Sequence, residues 1–374
     1  MHYLEPMPGD ILRATEAIAS IPWVDLGPPI EVPTIPPENL PHEISKEEKE
    51  ENDFYHVETK RLKRERNALI LAHNYQIPGI QDLADFVGDS VYLAQQGSES
   101  NADVVVEASV LFMPQILAIL KKRQNQKILA PSLKALCSLA AHADPNKILA
   151  WKQANQTGIV ISYVNTYIEV KALSDYCCGS ANAAKVIQHV ARTYPDAPLL
   201  FLPDVHLGFF AAKTLEEMGQ PIDRLWLMMG ACHVHNDIRP GHVDEARKNH
   251  PNAAVTIHPE CGCTSSCMRQ VQTGEIPLKM VSFRSTSGMF KYAQEIPQKE
   301  IIVATEIGNL YPLSKAVPNK TFIPANPDAV CAYMKQNTLR NLYESLRDMK
   351  HKITVDPELA EKARKPIERM LAIT

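Results

Sequence analysis

The amino-acid sequence predicts an α/β fold, and two observations carry that prediction. From residue 68 onward, short apolar segments of strand length alternate with longer amphipathic segments. The short segments are apolar throughout rather than at every second position, which is typical of parallel strands covered by helices on both faces. The predicted strands are residues 68–72, 103–106, 127–130, 159–163, 199–202, 225–229, 254–257, 301–304 and 321–323.

The part of the chain before these strands has a different character. Residues 1–41 hold nine of the 28 prolines, and proline fixes φ and removes a backbone donor, so we interpret them as an extended arm over the surface. Ser45 and Glu48 then form a capping-box pattern, which predicts a helix through the charged stretch to about Asn67. Between the first two strands, apolar residues at positions 80, 83, 84, 87, 91 and 94 predict another helix, because they share one helix face.

Length, composition and charge limit the possible functions. The 374 residues, of which 45% are apolar and 22% charged, suffice for two or three domains that each bury a core. The net charge of −4 predicts no extended basic surface for nucleic acid. The first 20 residues lack a signal-peptide pattern, and the apolar runs are too short for a membrane helix. We therefore expect a cytoplasmic protein with neither a nucleic-acid nor a membrane partner.

Three of the eight cysteines recur at nearly constant spacing. Cys137, Cys232 and Cys331 lie 95 and 99 residues apart, and each follows a short predicted strand. The carboxyl ends of strands in open α/β sheets are where ligands bind. Three similar α/β units would therefore bring three thiols together on a pseudo-threefold axis, and chance spacing is the alternative at this point.

Polar clusters also follow several of the predicted strands. Loops at the carboxyl ends of parallel strands often carry binding sites, and hydroxyls with free backbone N–H groups at helix starts suit a carboxylate or a phosphate. Neither a Walker loop nor a GxGxxG motif follows a strand, so nucleotide binding of the standard kinds is not predicted. The clusters are residues 73–76, 163–165, 177–180, 258–260 and 285–288, of which 177–180 is expected to open a helix over residues 181–190.

These segments resemble the quinolinate synthases. The resemblance runs in order from about residue 65 to 350, through residues 72–76, 80–90, 137–140, 163–165, 169–175, 177–178, 201–204, 258–261, 285–289, 305–308 and 327–331. It implies three pseudo-symmetric α/β/α sandwich domains with short parallel sheets, and an active site with a [4Fe–4S] cluster at their central junction. We therefore expect a Pro-rich arm and charged helix at 1–60, and domains at 61–150, 151–245 and 246–374.

The resemblance also implies an activity. Quinolinate synthases condense iminoaspartate with dihydroxyacetone phosphate, lose phosphate and two waters, and give quinolinate for de novo NAD biosynthesis. One cysteine per domain holds the cluster, which implies Cys137, Cys232 and Cys331 here, the last in the domain with the C-terminal helices. Three thiolates leave one iron open to act as a Lewis acid. An L-aspartate oxidase or dehydrogenase would supply the iminoaspartate.

Roles for individual side chains follow from the same resemblance. Tyr75 and Glu260 would form the acid/base pair, with Tyr163 close to the chemistry. Enamine attack, isomerisation and two dehydrations each move protons, which a phenol and a carboxylate in a closed site can do. The sequence differs from the usual family residues at Asn74, 113–115, Gly179 and His233. The substrate-binding set is His73, Ser90, Tyr163, Asn165, Ser180, His258, Glu260 and Thr286.

The residues leave alternatives open. Another three-cysteine cluster enzyme of triplicated α/β design, such as a diene-forming reductase of isoprenoid synthesis, would satisfy the same fold argument. A zinc-binding or redox-sensing protein would use Cys261, Cys263 and Cys267, although no fourth zinc ligand follows within a few residues. We expect these three thiols to be dispensable for the cluster, either as an oxidation-sensitive pair near the site entrance or as packing residues. Glu260 could also simply cap a helix that begins near Gly262.

Overall fold

The computed structural model describes residues 21–40 and 44–373, and this part of the chain is α/β as predicted. Its strands form three short sheets in which every neighbouring pair runs parallel. The strands are β1 (Trp23–Val24), β2 (Ala68–His73), β3 (Phe86–Gly88), β4 (Val104–Ala108), β5 (Lys127–Leu129), β6 (Ile159–Tyr163), β7 (Tyr176–Cys178), β8 (Leu199–Leu202), β9 (Leu225–Met228), β10 (Ala254–Ile257), β11 (Val281–Phe283), β12 (Glu300–Ala304) and β13 (Thr321–Pro324).

The three sheets share one strand order. The first is β3-β2-β4-β5, the second is β7-β6-β8-β9 with β1 added at its edge, and the third is β11-β10-β12-β13. In chain order, each sheet therefore reads second, first, third, fourth. The repeat means that equivalent strand ends recur three times along the chain.

Helices connect and flank these strands. The first one confirms the capping prediction, because the Ser45 hydroxyl accepts the N–H of Glu48 at 3.1 Å. The helices are Lys46–Glu65, Pro78–Gln81, Ser90–Glu99, Phe112–Leu120, Ser138–His142, Pro145–Ala154, Ile168–Leu173, Ala183–Thr193, Val205–Glu217, His233–Asn236, Pro240–Asn249, Thr264–Gln272, Thr286–Glu295, Leu310–Ala316, Leu339–Asp348 and Pro357–Ala372.

The predicted helix through positions 80 to 94 is wrong. A helix covers only Pro78–Gln81, strand β3 follows, and the next helix begins at Ser90. The cause lies at Asp85, whose carboxylate accepts the N–H of Ile70 at 2.9 Å while its own N–H donates to the Ile70 carbonyl at 2.8 Å. These two bonds tie the chain to β2 and favour an extended path.

A similar pair of hydrogen bonds explains why a second expectation, that residues 177 and 178 open a helix, is wrong. They lie in β7 instead, and the helix is Ala183–Thr193. Asp175 accepts the N–H of Val160 at 2.8 Å and donates back to the Val160 carbonyl at 2.8 Å, so it holds β7 against β6 as Asp85 holds β3 against β2.

The described chain divides into two compact units. The small unit comprises the described residues of Glu31–Cys137 and Val330–Glu361 and holds the first sheet; the large unit comprises the described residues before 31, Ser138–Ala329 and those from 362 on, with the other two sheets. In the small unit, Leu342 and Leu346 pack in one core with Ile70 and Val104. The chain from Val330 to Glu361 thus folds with the first sheet, while the predicted boundaries at 60, 150 and 245 stay a prediction.

The arm prediction falls partly outside the described residues, which begin at 21. From there to residue 40 the chain forms β1 and a 3₁₀ turn at Pro37–Asn39. Among the residues described, no helix combines the length and the apolar character needed to cross a bilayer.

Candidate active site

The candidate site residues lie where strands of the three sheets end. His73 is the last residue of β2, Tyr163 is the last residue of β6, and His258 directly follows β10. In parallel sheets these carboxyl ends collect ligand-binding side chains.

In the large unit, Tyr163 and Glu260 form a buried pair. The Tyr163 hydroxyl donates a hydrogen bond to Oε1 of Glu260, and both side chains are buried. Burial raises the pKa of Glu260, and the hydrogen bond from Tyr163 partly offsets that rise because it favours the carboxylate. A carboxyl group with a raised pKa is suited to exchanging protons near neutral pH.

His258 lies next to this pair and is neutral. Burial lowers the pKa of its imidazole to about 3, and its ring stacks on His235 with the centroids 4.6 Å apart. Its Nδ1 accepts the backbone N–H of Glu260 at 3.4 Å. A neutral imidazole that accepts at Nδ1 carries its proton on Nε2, so His258 can donate one hydrogen bond to a ligand oxygen.

In the small unit, His73 and Tyr75 form a similar turn. Nδ1 of His73 accepts the backbone N–H of Tyr75 at 3.1 Å, and the two rings meet edge to face with centroids 4.5 Å apart. The ammonium group of Lys335 donates to the Tyr75 carbonyl. Both side chains of the turn are buried, so the phenol of Tyr75 is held on a fixed backbone.

The predicted hydroxyl ligands follow the second strand of each sheet. Ser90 comes two residues after β3, Ser180 two residues after β7, and Thr286 three residues after β11. Ser90 and Thr286 each open a helix. These helix starts are capped by Asp89, which accepts the Tyr92 N–H, and by Ser285, which accepts the Gly288 N–H. Asn165 comes two residues after β6 and is half-buried. The repeat thus places three hydroxyls at three equivalent positions.

The cysteines divide by exposure. None of the eight forms a disulfide; Cys137, Cys232 and Cys331 are half-buried, and the other five are buried. In the small unit, Tyr333 lies close to two of them: burial, together with the charges of Cys137 and Cys331, raises the pKa of its phenol to about 12. In the large unit, the Ser138 hydroxyl is 2.8 Å from Nδ1 of His233. These two residues directly follow Cys137 and Cys232.

A second set of possible metal ligands lies wholly within the large unit. The Cys232 sulfur, a ring nitrogen of His235 and a carboxylate oxygen of Glu260 are within 4.8 Å of one another. Cys261 also approaches this group, because its sulfur is 3.4 Å from Nδ1 of His235 and donates to the Ala304 carbonyl at 3.3 Å. Cys263 and Cys267 are buried as well, and the expected role of these three thiols stays a prediction.

Sequence reasoning gave no role to Asp204 or His235. Asp204 is fully buried two residues after β8, where its carboxylate accepts the N–H of Leu207 at 2.8 Å. Burial and the nearby charge of Glu260 raise its pKa well above the usual range. The position of Asp204, a polar residue just after the third strand of its sheet, could have marked it as a candidate site residue. For His235, the only signal in the sequence was its position three residues after Cys232, in a short helix.

The fold and its strand-end residues define an α/β protein in which each unit carries polar side chains and thiols suited to binding a ligand. Residues 57–372 match the family model described as quinolinate synthetase A protein. The chain is 46% identical to the quinolinate synthase of Thermus thermophilus over 316 residues, which cover 84% of this chain and 96% of that protein. It is 43% identical to the Pyrobaculum aerophilum quinolinate synthase over 314 residues, or 84% and 97% of the two chains. The Mycobacterium leprae quinolinate synthase is 40% identical over 318 residues, or 85% and 87%. The chain belongs to the quinolinate synthase family, which confirms the resemblance.

Proposed function

We propose that this protein condenses iminoaspartate with dihydroxyacetone phosphate to form quinolinate, with loss of phosphate and two waters. The observation that carries the proposal is membership of the quinolinate synthase family over residues 57–372. The product would enter de novo NAD biosynthesis in the cytoplasm. An L-aspartate oxidase or dehydrogenase would supply the unstable imine substrate.

Cys137, Cys232 and Cys331 are the proposed ligands of a [4Fe–4S] cluster. Their chemistry fits, because iron–sulfur clusters are held by cysteine thiolates, and these are the three half-buried thiols of the chain. Such a cluster would supply an iron without a protein ligand, which polarises a substrate oxygen as a Lewis acid. The pairing of Ser138 with His233 and the effect of Cys137 and Cys331 on Tyr333 support the choice of these three.

Glu260 is the proposed general base of the large unit. Its raised pKa makes its carboxylate a stronger base than an exposed glutamate, and Tyr163, hydrogen-bonded to it, can return a proton through the same contact. Tyr75 is the proposed partner acid in the small unit. The alternative role of Glu260 as a helix cap has less support, because its oxygen accepts from Tyr163 and the N-cap position of the helix Thr264–Gln272 is Cys263.

The remaining residues are proposed to bind the substrates. His73 and His258 each use Nδ1 to accept a backbone N–H, so each can offer an Nε2 proton to a carboxylate or phosphate oxygen. Ser90, Ser180 and Thr286 add hydroxyls beside helix or turn N–H groups, and Asn165 adds an amide. Donors of this kind suit two carboxylates and one phosphate.

Anaerobic turnover tests the proposal directly. Protein reconstituted with iron and sulfide is mixed with iminoaspartate and dihydroxyacetone phosphate, and quinolinate is measured by chromatography. We expect product that depends on both substrates and on bound iron. A colourless protein that binds zinc instead, or an iron–sulfur protein that makes no quinolinate but reduces an isoprenoid diphosphate, would overturn the proposal in favour of the corresponding alternative.

A further inference from the structure

The arm contacts the segment that follows Cys331. We call residues 31–40 the distal arm and residues 331–337 the ligand segment; both belong to the small unit. The distal arm lies before residue 57, where the family match begins. Its contacts are therefore a property of this chain that the family assignment does not cover.

The backbone carbonyls of the ligand segment each accept a hydrogen bond. Most of these bonds come from within the segment or from Asn341 just beyond it. The carbonyls of Lys335 and Asn337 instead accept from the side-chain amide of Asn39, at 2.6 and 2.9 Å. A primary amide nitrogen has two hydrogens, so Asn39 uses both. Its side chain is buried, which makes the loss of these bonds costly.

The ligand segment in turn holds the backbone of the distal arm. The Tyr333 hydroxyl donates to the Glu31 carbonyl at 2.9 Å, and the Gln336 amide donates to the Thr34 carbonyl at 2.9 Å. Val32 is 47% exposed and Leu40 is 44% exposed, so apolar burial contributes little at these positions. The contact is a set of hydrogen bonds made by a proline-rich, conformationally restricted chain, which loses little entropy on docking.

Lys335 connects this contact to the proposed chemistry. Its carbonyl accepts from Asn39, its N–H donates to the Cys331 carbonyl at 3.0 Å, and its ammonium group donates to the Tyr75 carbonyl. One buried residue therefore touches the backbone of a proposed cluster ligand and the backbone of the proposed acid.

We propose that Asn39 is a positioning residue that fixes Lys335 and, through it, the backbone at Tyr75 and Cys331. The roles of Tyr75 and Cys331 rest on the proposed function, whereas the mechanical link does not. Without the Asn39 amide, two buried carbonyls lose their donor and the ligand segment opens more often. The consequences are a less stable cluster and a less well-placed phenol.

Hydrogen exchange of the full-length, cluster-free protein tests the link independently of catalysis. In Asn39→Ala we expect peptides covering residues 331–337 and 73–76 to exchange about tenfold faster or more, since unpaired buried carbonyls favour local opening. Asn39→Asp has an effect at least as large, because a carboxylate cannot donate to either carbonyl. The matched control is Glu38→Ala, an exposed neighbour in the same turn, which leaves exchange unchanged.

Lys335→Met separates the two ends of the link. It removes the bond to Tyr75, so exchange at 73–76 rises while exchange at 331–337 changes less, and Lys335→Arg restores part of the protection. In reconstituted protein, Asn39→Ala loses the cluster to an iron chelator severalfold faster than Glu38→Ala. Tyr333→Phe, which removes the bond to Glu31, serves as the milder second variant if Asn39→Asp does not fold.

The outcomes distinguish this inference from the proposed function. Wild-type exchange rates in Asn39→Ala, or an equal rise in Glu38→Ala, overturn the positioning role even if the wild-type protein makes quinolinate. Faster exchange in Asn39→Ala with no quinolinate from the wild-type protein supports the link and overturns the function.

Discussion

Two turns of the molecule hold a proposed acid/base residue by the same local device. In the turn at residues 73–75 and in the turn at 258–260, Nδ1 of the histidine accepts the backbone N–H of the residue two positions later. The surroundings differ. Glu260 contacts another titratable side chain, Tyr163, whereas the Tyr75 backbone is held by Lys335. The contacts of the turn at 258–260 therefore affect the protonation of Glu260, whereas the contacts of the turn at 73–75 fix the position of Tyr75.

Burial and neighbouring charges shift the pKa values of Glu260 and Asp204 in the large unit. In the small-unit turn, the Tyr75 N–H donates to Nδ1 of His73, and the Lys335 ammonium group donates to the Tyr75 carbonyl.

The largest expected effect comes from removing the three thiols that are proposed to hold the cluster. Cys137→Ser, Cys232→Ser and Cys331→Ser should each prevent stable assembly of the cluster, because two thiolates remain to hold it. Iron and sulfide analysis after anaerobic reconstitution measures this. Cys232 belongs to the large unit and the other two to the small unit, so equal losses would show that the two units supply ligands to one centre.

The control for this experiment is the triple serine variant at Cys261, Cys263 and Cys267. These thiols are buried, and we expect the variant to keep its iron and its turnover. If its iron content fell to the level of Cys232→Ser while a dispersed variant kept its iron, the ligand assignment would be wrong and the local cysteine group would hold the metal.

The next largest effect concerns Glu260 in the turn at residues 258–260. Glu260→Gln should lower turnover by about 10²-fold or more, as expected for the loss of a general base, while the cluster content stays normal. The matched control is Glu107→Gln, another buried glutamate, which lies in the small unit and should keep turnover near normal. Near-normal turnover of Glu260→Gln would leave Glu260 with a structural role only.

The strands that sequence analysis missed mark the limit of local patterns. It missed the two-residue edge strand β1 and the second strands β3, β7 and β11, which have three residues each, but it found the other strands of every sheet. Three residues give no periodic signal. In two sheets the missing strand is held by an aspartate, Asp85 or Asp175, whose bonds reach back 15 residues.

Site prediction from the sequence reached a similar limit. The residue types at strand ends indicated where ligands bind, and the family resemblance supplied the roles. The pairing of Tyr163 with Glu260 spans 97 residues and that of Asn39 with Lys335 spans 296, so no local spacing could reveal either contact. The second also lies outside the resemblance, because the arm has no counterpart in the motifs.

A smaller effect sharpens the role of Tyr163. Its hydroxyl stabilises the Glu260 carboxylate and thereby lowers a pKa that burial raises. In Tyr163→Phe that pKa should rise further, by roughly one unit, so the acidic limb of kcat/KM moves to higher pH. Profiles of kcat/KM against pH measure the shift. Tyr176→Phe, whose hydroxyl pairs with His189, is the control, and an unshifted profile in Tyr163→Phe would contradict the proposed coupling.

The smallest effect tests what burial does to a glutamate without catalytic neighbours. Glu107 is fully buried in β4 beside Leu71, and burial raises its pKa from 4.5 to about 8. Between these values the folded state binds a proton that the unfolded state has lost, so the free energy of unfolding falls as pH rises through this window and is flat above it.

Glu107→Gln removes this pH-dependent loss of stability. Denaturant unfolding of cluster-free protein should therefore show matching stabilities at pH 4.5 and a variant more stable by on the order of 1–4 kcal/mol at pH 8. A stability difference that stays constant with pH would mean that Glu107 is ionised in the folded protein. Burial alone would then not raise the pKa of a glutamate here, and the raised pKa of Glu260 would have to come from its neighbours.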